Sequence, residues 1–166
     1  MSAVKIAGAL LMALAGAALG FERSARVKLR ARLLSALYAA LGVMSEEISL
    51  LRTPLPELFG QLAERGPEET RAFFAELSAA DGSPLSERWS ACVNALPLGD
   101  EERGVLRALG LSLGRYDAAS QCTQIEHVRA QLQRMTEEAR SERDGKAKTY
   151  VGLGLSLGAM LAVILL

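Results

Sequence analysis

The residue types that most often carry chemistry are few in this chain, and their spacing builds no site. Cys92 and Cys122 are thirty residues apart and form no CxxC pair, and His127 is the only histidine. Two thiols and one imidazole fall short of the four ligands that a structural zinc site needs. We therefore expect no metal site, and two reduced thiols on the faces of helices.

Two pairs of carboxylates, Glu46-Glu47 and Glu101-Glu102, resemble the pairs that do general acid–base work. Adjacent residues of a helix do not face each other, so neither pair can act on one substrate atom. The sequence also lacks a GxxxxGK[ST] phosphate loop and a nucleophile with a plausible base. We expect no catalytic residues, no cofactor and no enzymatic activity.

Charge is balanced overall but unevenly placed along the chain. The 19 basic and 19 acidic residues cancel, and nearly all lie in the middle of the sequence, between two apolar ends. The basic cluster at 23–32 contains no aromatic side chain, and its position beside an apolar run is sufficient to explain it. We therefore expect no nucleic-acid partner.

The last seventeen residues, 150–166, contain no charged side chain. As a helix they would be about 26 Å long, close to the ~30 Å hydrocarbon core of a bilayer. A buried core helix is the alternative, but this run ends the sequence without a polar face. The pattern predicts a transmembrane helix at 150–166.

Residues 1–21 form a second apolar run, which admits two interpretations. As a signal peptide it would be cleaved and leave an exported domain anchored at its C-terminus. As a membrane anchor it is followed at once by basic residues, and the second run is preceded by basic residues as well. Such flanks stay in the cytoplasm, which predicts two spans, both termini outside and a cytoplasmic domain at 22–149. The flanking basic residues are Arg23, Arg26, Lys28, Arg30, Arg32, Arg140, Arg143, Lys146 and Lys148.

Both apolar runs contain two glycines four residues apart, Gly16-x-x-x-Gly20 and Gly154-x-x-x-Gly158. Small residues at this spacing allow close approach of a second helix in a bilayer, where packing replaces the hydrophobic force. A helix–helix contact within the chain or between copies would follow, and the second option makes a homo-oligomer.

The middle segment has the composition and periodicity of an all-α domain. Aromatic residues are scarce, Ala, Leu and Gly are abundant, and apolar residues recur at steps of three and four. A stripe from Leu34 to Leu51 predicts a long first helix, and shorter helices follow at about 55–65, 68–80, 84–95 and 101–113. A last helix starts after Asp117, which completes a compact six-helix bundle flanked by the two transmembrane helices.

Hydroxyl or carboxyl residues precede several of these helices. Thr53, directly before Pro54, is predicted to cap the second helix, while Asp100 and Asp117 are predicted to cap the fifth and the last. Ser83-Pro84-Leu85-Ser86-Glu87 repeats the signal of Thr53-Pro54-Leu55-Pro56-Glu57 thirty residues later.

Two blocks of the sequence resemble the stage III sporulation protein AB family of endospore-forming bacteria. The first is Glu47-Ile48 followed by Thr53-Pro54-Leu55-Pro56-Glu57. The second is Leu109-Gly110-x-x-Leu113-Gly114-x-x-Asp117-x-x-x-Gln121. More distantly, Leu55-x-Glu57, Gly82-x-x-Leu85 and Gly110–Asp117 are similar to the cytoplasmic domain of the type II secretion and type IV pilus platform protein. Leu109 departs from the pattern by replacing an aromatic residue, and Arg115-Tyr116 replace small ones.

The resemblance implies a non-enzymatic membrane component of the channel complex between mother cell and forespore. It places the protein in the mother-cell outer forespore membrane, where stage III sporulation protein AA, a secretion-type ATPase, would dock on the bundle beside other channel subunits. A membrane-tethered regulatory adaptor unrelated to secretion is the alternative. The candidate residues, for partner binding or for shaping the bundle, are Glu47, Thr53, Pro54, Pro56, Glu57, Gly110, Gly114, Asp117 and Gln121.

Overall fold

A computed structural model describes residues 27–79, 82–138 and 141 of the chain. These residues form six helices and contain no strand, which confirms the prediction of an all-α protein with six helices. The helices are α1 (Val27–Leu51), α2 (Leu55–Arg65), α3 (Glu68–Ser78), α4 (Leu85–Ala95), α5 (Asp100–Ser112) and α6 (118–138). Residues 30–138 belong to one compact unit.

The predicted transmembrane helices at 1–21 and 150–166 lie outside the described residues. Among those that are described, α1 is the one helix long and apolar enough to cross a membrane, and half of its most apolar stretch is buried inside the protein. Leu34, Leu37, Leu41 and Met44 make up that buried side and are almost fully inaccessible to solvent. Within the bundle, α1 therefore acts as the central core helix.

Helices α1 and α6 run antiparallel. The Cys122 thiol donates to the carbonyl oxygen of Ser45 at 3.4 Å, and Arg129 Nε donates to the carbonyl oxygen of Tyr38 at 3.3 Å. The start of α1 and the end of α6 therefore lie at the same end of the bundle, which we call the proximal end. The opposite end, with the α1–α2 and α5–α6 loops, is called the distal end.

The core is built from Leu, Met and Val side chains around four aromatic residues. Phe59, Phe73, Phe74 and Trp89 have ring centroids 5.0–6.2 Å apart, two of the pairs being edge-to-face. Edge-to-face pairs place the positive rim of one ring on the negative face of the next, which adds to the gain from burial. These rings join α2, α3 and α4 into one core with α1.

A partly buried ion pair joins α1 and α5 near the proximal end. Glu102, which is 1% exposed, accepts a hydrogen bond from Arg30 Nε at 2.7 Å and one from the Gly99 N–H at 2.6 Å. The Glu102 carboxylate therefore accepts the hydrogen bond of a backbone N–H at the start of α5. The sequence predicted that Asp100 would cap this helix. Asp100 instead lies inside the helix, and Gly99 occupies the N-cap position without a side-chain cap.

Two further predictions are wrong in detail. Pro54, not Thr53, is the N-cap residue of α2, and no side chain caps that helix. Leu51, which the stripe placed on the core face of α1, is 69% exposed. The reason is that Glu47–Leu51 is a π-helical turn, whose wider winding rotates its last residues away from the core.

Candidate functional site

The two loops that the sequence analysis selected meet at one open groove at the distal end of the bundle. The groove encloses about 780 Å³ and is mostly apolar. Five of the nine candidate residues line it, namely Thr53, Pro54, Gly114, Asp117 and Gln121. Residues sixty positions apart in sequence are thus brought to one surface. The rest of the lining is Ile48, Ser49, Arg52, Leu55, Ala118, Ala119 and Cys122.

Glu47 and Thr53 fix the first wall of the groove. Thr53 Oγ1 donates to Glu47 Oε2 at 2.7 Å, and the Thr53 N–H donates to the Glu47 carbonyl oxygen at 3.4 Å. Between them Arg52 adopts a left-handed conformation with φ 53°, which ends α1. The side-chain bond therefore holds the reversal that carries the chain from α1 into α2, and it needs both partners that the family pattern contains.

Gly114 and Gln121 fix the opposite wall. Gly114 has φ +75°, a backbone conformation that residues other than glycine rarely adopt. Its N–H donates to Gln121 Oε1 at 3.1 Å, while Gln121 Nε2 donates to the carbonyl oxygen of Tyr116 at 2.7 Å. The side-chain amide of Gln121 therefore hydrogen-bonds to two points of the α5–α6 loop and holds its conformation.

Asp117 caps α6, as predicted from the sequence. Its Oδ1 accepts from the Ser120 N–H at 2.8 Å and its Oδ2 from the Ser120 hydroxyl at 3.1 Å. These hydrogen bonds, first the one from the backbone, lower the pKa of the fully exposed carboxyl group. The charged form is therefore the one that supports the start of α6, where the helix dipole also favours a negative charge.

The other candidate residues lie outside this groove. Pro56 lines an adjoining depression of about 410 Å³ that also includes Leu85 and Arg115 and shares Leu55 and Gly114 with the groove. Glu57 is exposed in the first turn of α2. Gly110 is buried in α5 and belongs to the core.

Exposed apolar residues beside the groove were not predicted from the sequence. Leu50 is 78% exposed and Tyr116 58% exposed, and each is close in sequence to a lining residue, Arg52 and Asp117 respectively. A run of apolar residues continuing into a loop was the available signal for Leu50 and Leu51. Large exposed apolar residues beside an apolar groove are typical of a surface that binds another protein.

Nucleophilic and metal-binding groups do not gather at this site. Cys122 lines the groove but donates its S–H to the carbonyl oxygen of Ser45, and Cys92 lies elsewhere as a half-buried free thiol. Burial raises the pKa of Cys92, and the charge of Glu76 raises it further, which keeps the thiol protonated. The described residues contain no group of three or more potential metal ligands.

No curated protein and no solved structure matches the chain. A family model, stage III sporulation protein AB, matches residues 5–166, which is nearly the whole sequence. The match includes both loops that form the groove. The chain therefore belongs to the stage III sporulation protein AB family.

Proposed function

We propose that the protein is a non-enzymatic platform or adaptor in the channel complex between mother cell and forespore. In this proposal it is anchored in the mother-cell outer forespore membrane by segments 1–21 and 150–166, with both termini outside. Its helical bundle lies in the cytoplasm and docks the secretion-type ATPase, stage III sporulation protein AA. Family membership supports a role in sporulation.

One observation supports docking at the distal end more than any other. Parts of the two most specific blocks of the resemblance, Thr53–Leu55 and Gly114–Gln121, line a single, mostly apolar groove. Their polar side chains are hydrogen-bonded within the loops, Thr53 to Glu47 and Gln121 to Gly114 and Tyr116. The polar residues therefore shape the surface, and the apolar residues between them are left for a partner.

The test is binding of the purified ATPase to the full-length protein in detergent, with and without nucleotide. Ala119→Glu places a charge in the groove, on an exposed residue in the first turn of α6 where a carboxylate does not harm the helix. Ala130→Glu is the matched control, being exposed on the same helix about three turns away. We expect the first variant to weaken binding about tenfold or more, and the second to leave it unchanged.

Two results would reject this proposal. Equal binding by both variants would exclude the groove as the docking surface. Absence of binding by the wild-type protein, with the bundle folded, would favour a regulatory adaptor unrelated to secretion. In that case the protein that co-purifies from sporulating cells would identify the function.

The proposed topology has its own test. Mass spectrometry of the protein from membranes should find residues 1–21 retained, because they form the first anchor. Loss of about the first twenty residues would establish cleavage of a signal peptide and an exported domain instead.

A further inference from the structure

The groove and the adjoining depression form one continuous surface at the distal end of the bundle. Leu55 and Gly114 line both of them, and together they extend from the end of α1 to the start of α4. A Cβ atom on Gly114 would lie 3.5 Å from Leu55 Cδ1 and 3.8 Å from Leu85 Cδ2. Leu55 and Leu85 hold the same position in the repeated start signals of α2 and α4, and the two signals therefore meet at Gly114. We call this combined surface the distal trough.

Most of the charge along the distal trough is positive. Three of the four charged residues that line it are arginines, namely Arg52, Arg88 and Arg115. The fourth, Asp117, accepts two hydrogen bonds from the first turn of α6, and Arg88 donates to the carbonyl oxygen of Leu77. These two side chains are therefore engaged by the bundle itself.

The remaining two arginines are available to a partner. Arg52 lines the groove, Arg115 lines the adjoining depression, and both are exposed. Among the described residues, no side chain or carbonyl group forms a hydrogen bond or ion pair with either guanidinium group. Each half of the trough thus combines an apolar floor with one unpaired positive charge.

This pattern selects the chemistry of the occupant. A guanidinium group pairs with a carboxylate through two parallel hydrogen bonds, and arginine is enriched where proteins bind each other. Recognition of a phosphate backbone or of lipid headgroups uses clusters of basic residues instead. With one unpaired arginine in each half and half-buried leucines between them, the trough is complementary to a protein segment that is both apolar and acidic.

We propose that the distal trough binds a segment of the docking ATPase that places apolar side chains over Leu55 and Leu85 and carboxylates beside Arg52 and Arg115. This inference rests on the docking role proposed above and deepens it, because it names the chemistry of the partner segment. Burial of the apolar side chains supplies most of the affinity, while the two arginines steer the encounter and fix the orientation of the segment.

Charge reversal tests the role of the arginines. The association rate of the purified ATPase with the full-length protein in detergent is measured at about 0.1 M and about 1 M salt, where the Debye length is ~10 Å and ~3 Å. Arg52→Glu and Arg115→Glu should each lower the association rate about tenfold at low salt and have little effect at high salt. Arg107→Glu, an exposed α5 residue that lines neither half, is the matched control and should have no effect. Melting temperatures confirm that each variant folds.

Photo-cross-linking identifies the partner segment. Tyr116 is 58% exposed and directly follows Arg115, so replacing it with the photoreactive residue benzoylphenylalanine keeps an aromatic ring beside the trough. Mass spectrometry of the cross-linked ATPase should find a segment with two or more Asp or Glu residues among apolar ones. A cross-linked segment without acidic residues would overturn the proposal.

The variants also separate this proposal from the docking role on which it rests. If Ala119→Glu weakens binding while Arg52→Glu and Arg115→Glu associate as fast as the wild type, docking in the groove stands and the acidic segment is rejected. If Ala119→Glu binds as well as Ala130→Glu, or if the wild type does not bind, the docking site fails and this inference fails with it.

Discussion

Gly110 lies directly against the indole of Trp89, so that α5 touches α4 through the space where a side chain would be. A Cβ atom on Gly110 would stand 2.6 Å from Trp89 Cγ and overlap Cδ1. On the same indole, Nε1 donates to the carbonyl oxygen of Leu106 at 2.7 Å. Trp89 is fully buried, so the ring cannot turn outward to make room. Gly110 therefore belongs to the packing of the core and not to the groove.

Gly110→Ala is predicted to destabilise the bundle by about 1–3 kcal/mol, because the added methyl group overpacks the site against Trp89. Gly104→Ala on the same helix is the matched control, since a Cβ there meets nothing. It should stabilise by about 0.5–1 kcal/mol through helix propensity. Chemical denaturation measures both values, and equal effects of the two changes would contradict this account.

Thr53→Val should lower the free energy of unfolding by about 1–2 kcal/mol. The substitution keeps the shape but removes the hydroxyl that donates to Glu47, leaving a part-buried carboxylate without that partner. Thr53→Ser keeps the donor and should be close to neutral. Urea denaturation distinguishes the two variants, and a Thr53→Ser variant as unstable as Thr53→Val would show that the methyl group matters instead.

Asp117 should make stability depend on pH in a defined direction. Its pKa is lower in the folded state than its ordinary value of 3.8, so its contribution is present above that value and disappears as the pH falls through the folded pKa. Asp117→Asn keeps an N-cap acceptor that does not titrate. The wild type should therefore lose stability relative to Asp117→Asn when the pH is lowered from 7 to 2.

The difference between wild type and Asp117→Asn does not include the contribution of Glu126, a second carboxyl group whose pKa is lowered by folding. The pKa of Glu126 is also lowered, mainly by its hydrogen bond with Arg129, but this group is present in both proteins. A constant difference between wild type and Asp117→Asn across that pH range would mean that the Asp117 cap contributes nothing to folding.

Removal of one partner of the Arg30–Glu102 ion pair should lower the free energy of unfolding. Arg30→Met leaves the buried Glu102 carboxylate with only the Gly99 N–H, and we expect a loss of about 2–3 kcal/mol. The value is below that of a fully buried pair because 38% of the Arg30 side chain is exposed. The double variant Arg30→Met/Glu102→Met, which removes both charges, should recover most of this loss in urea denaturation. No recovery would contradict a desolvation origin.

Local signals were sufficient for most of the fold. Apolar residues that recur at intervals of three and four predicted all six helices, because burial of one helix face dominates their stability. Pro and Gly placed the ends of α2 and α4 to within a residue or two. The errors arose where the helix type changed or a long-range contact intervened. Leu51 is exposed because of the π-helical turn, and Asp100 is not a cap because Glu102 reaches back to Gly99.

The sequence by itself determined the six helices and the cap at Asp117, because each depends on residues near one another in the chain. Only the tertiary structure decided that the α1–α2 and α5–α6 loops line one groove and that Gly110 packs against the indole of Trp89. It also showed that Thr53 Oγ1 donates a hydrogen bond to Glu47. These relationships depend on how helices distant in sequence pack together, and local periodicity carries no information about that packing.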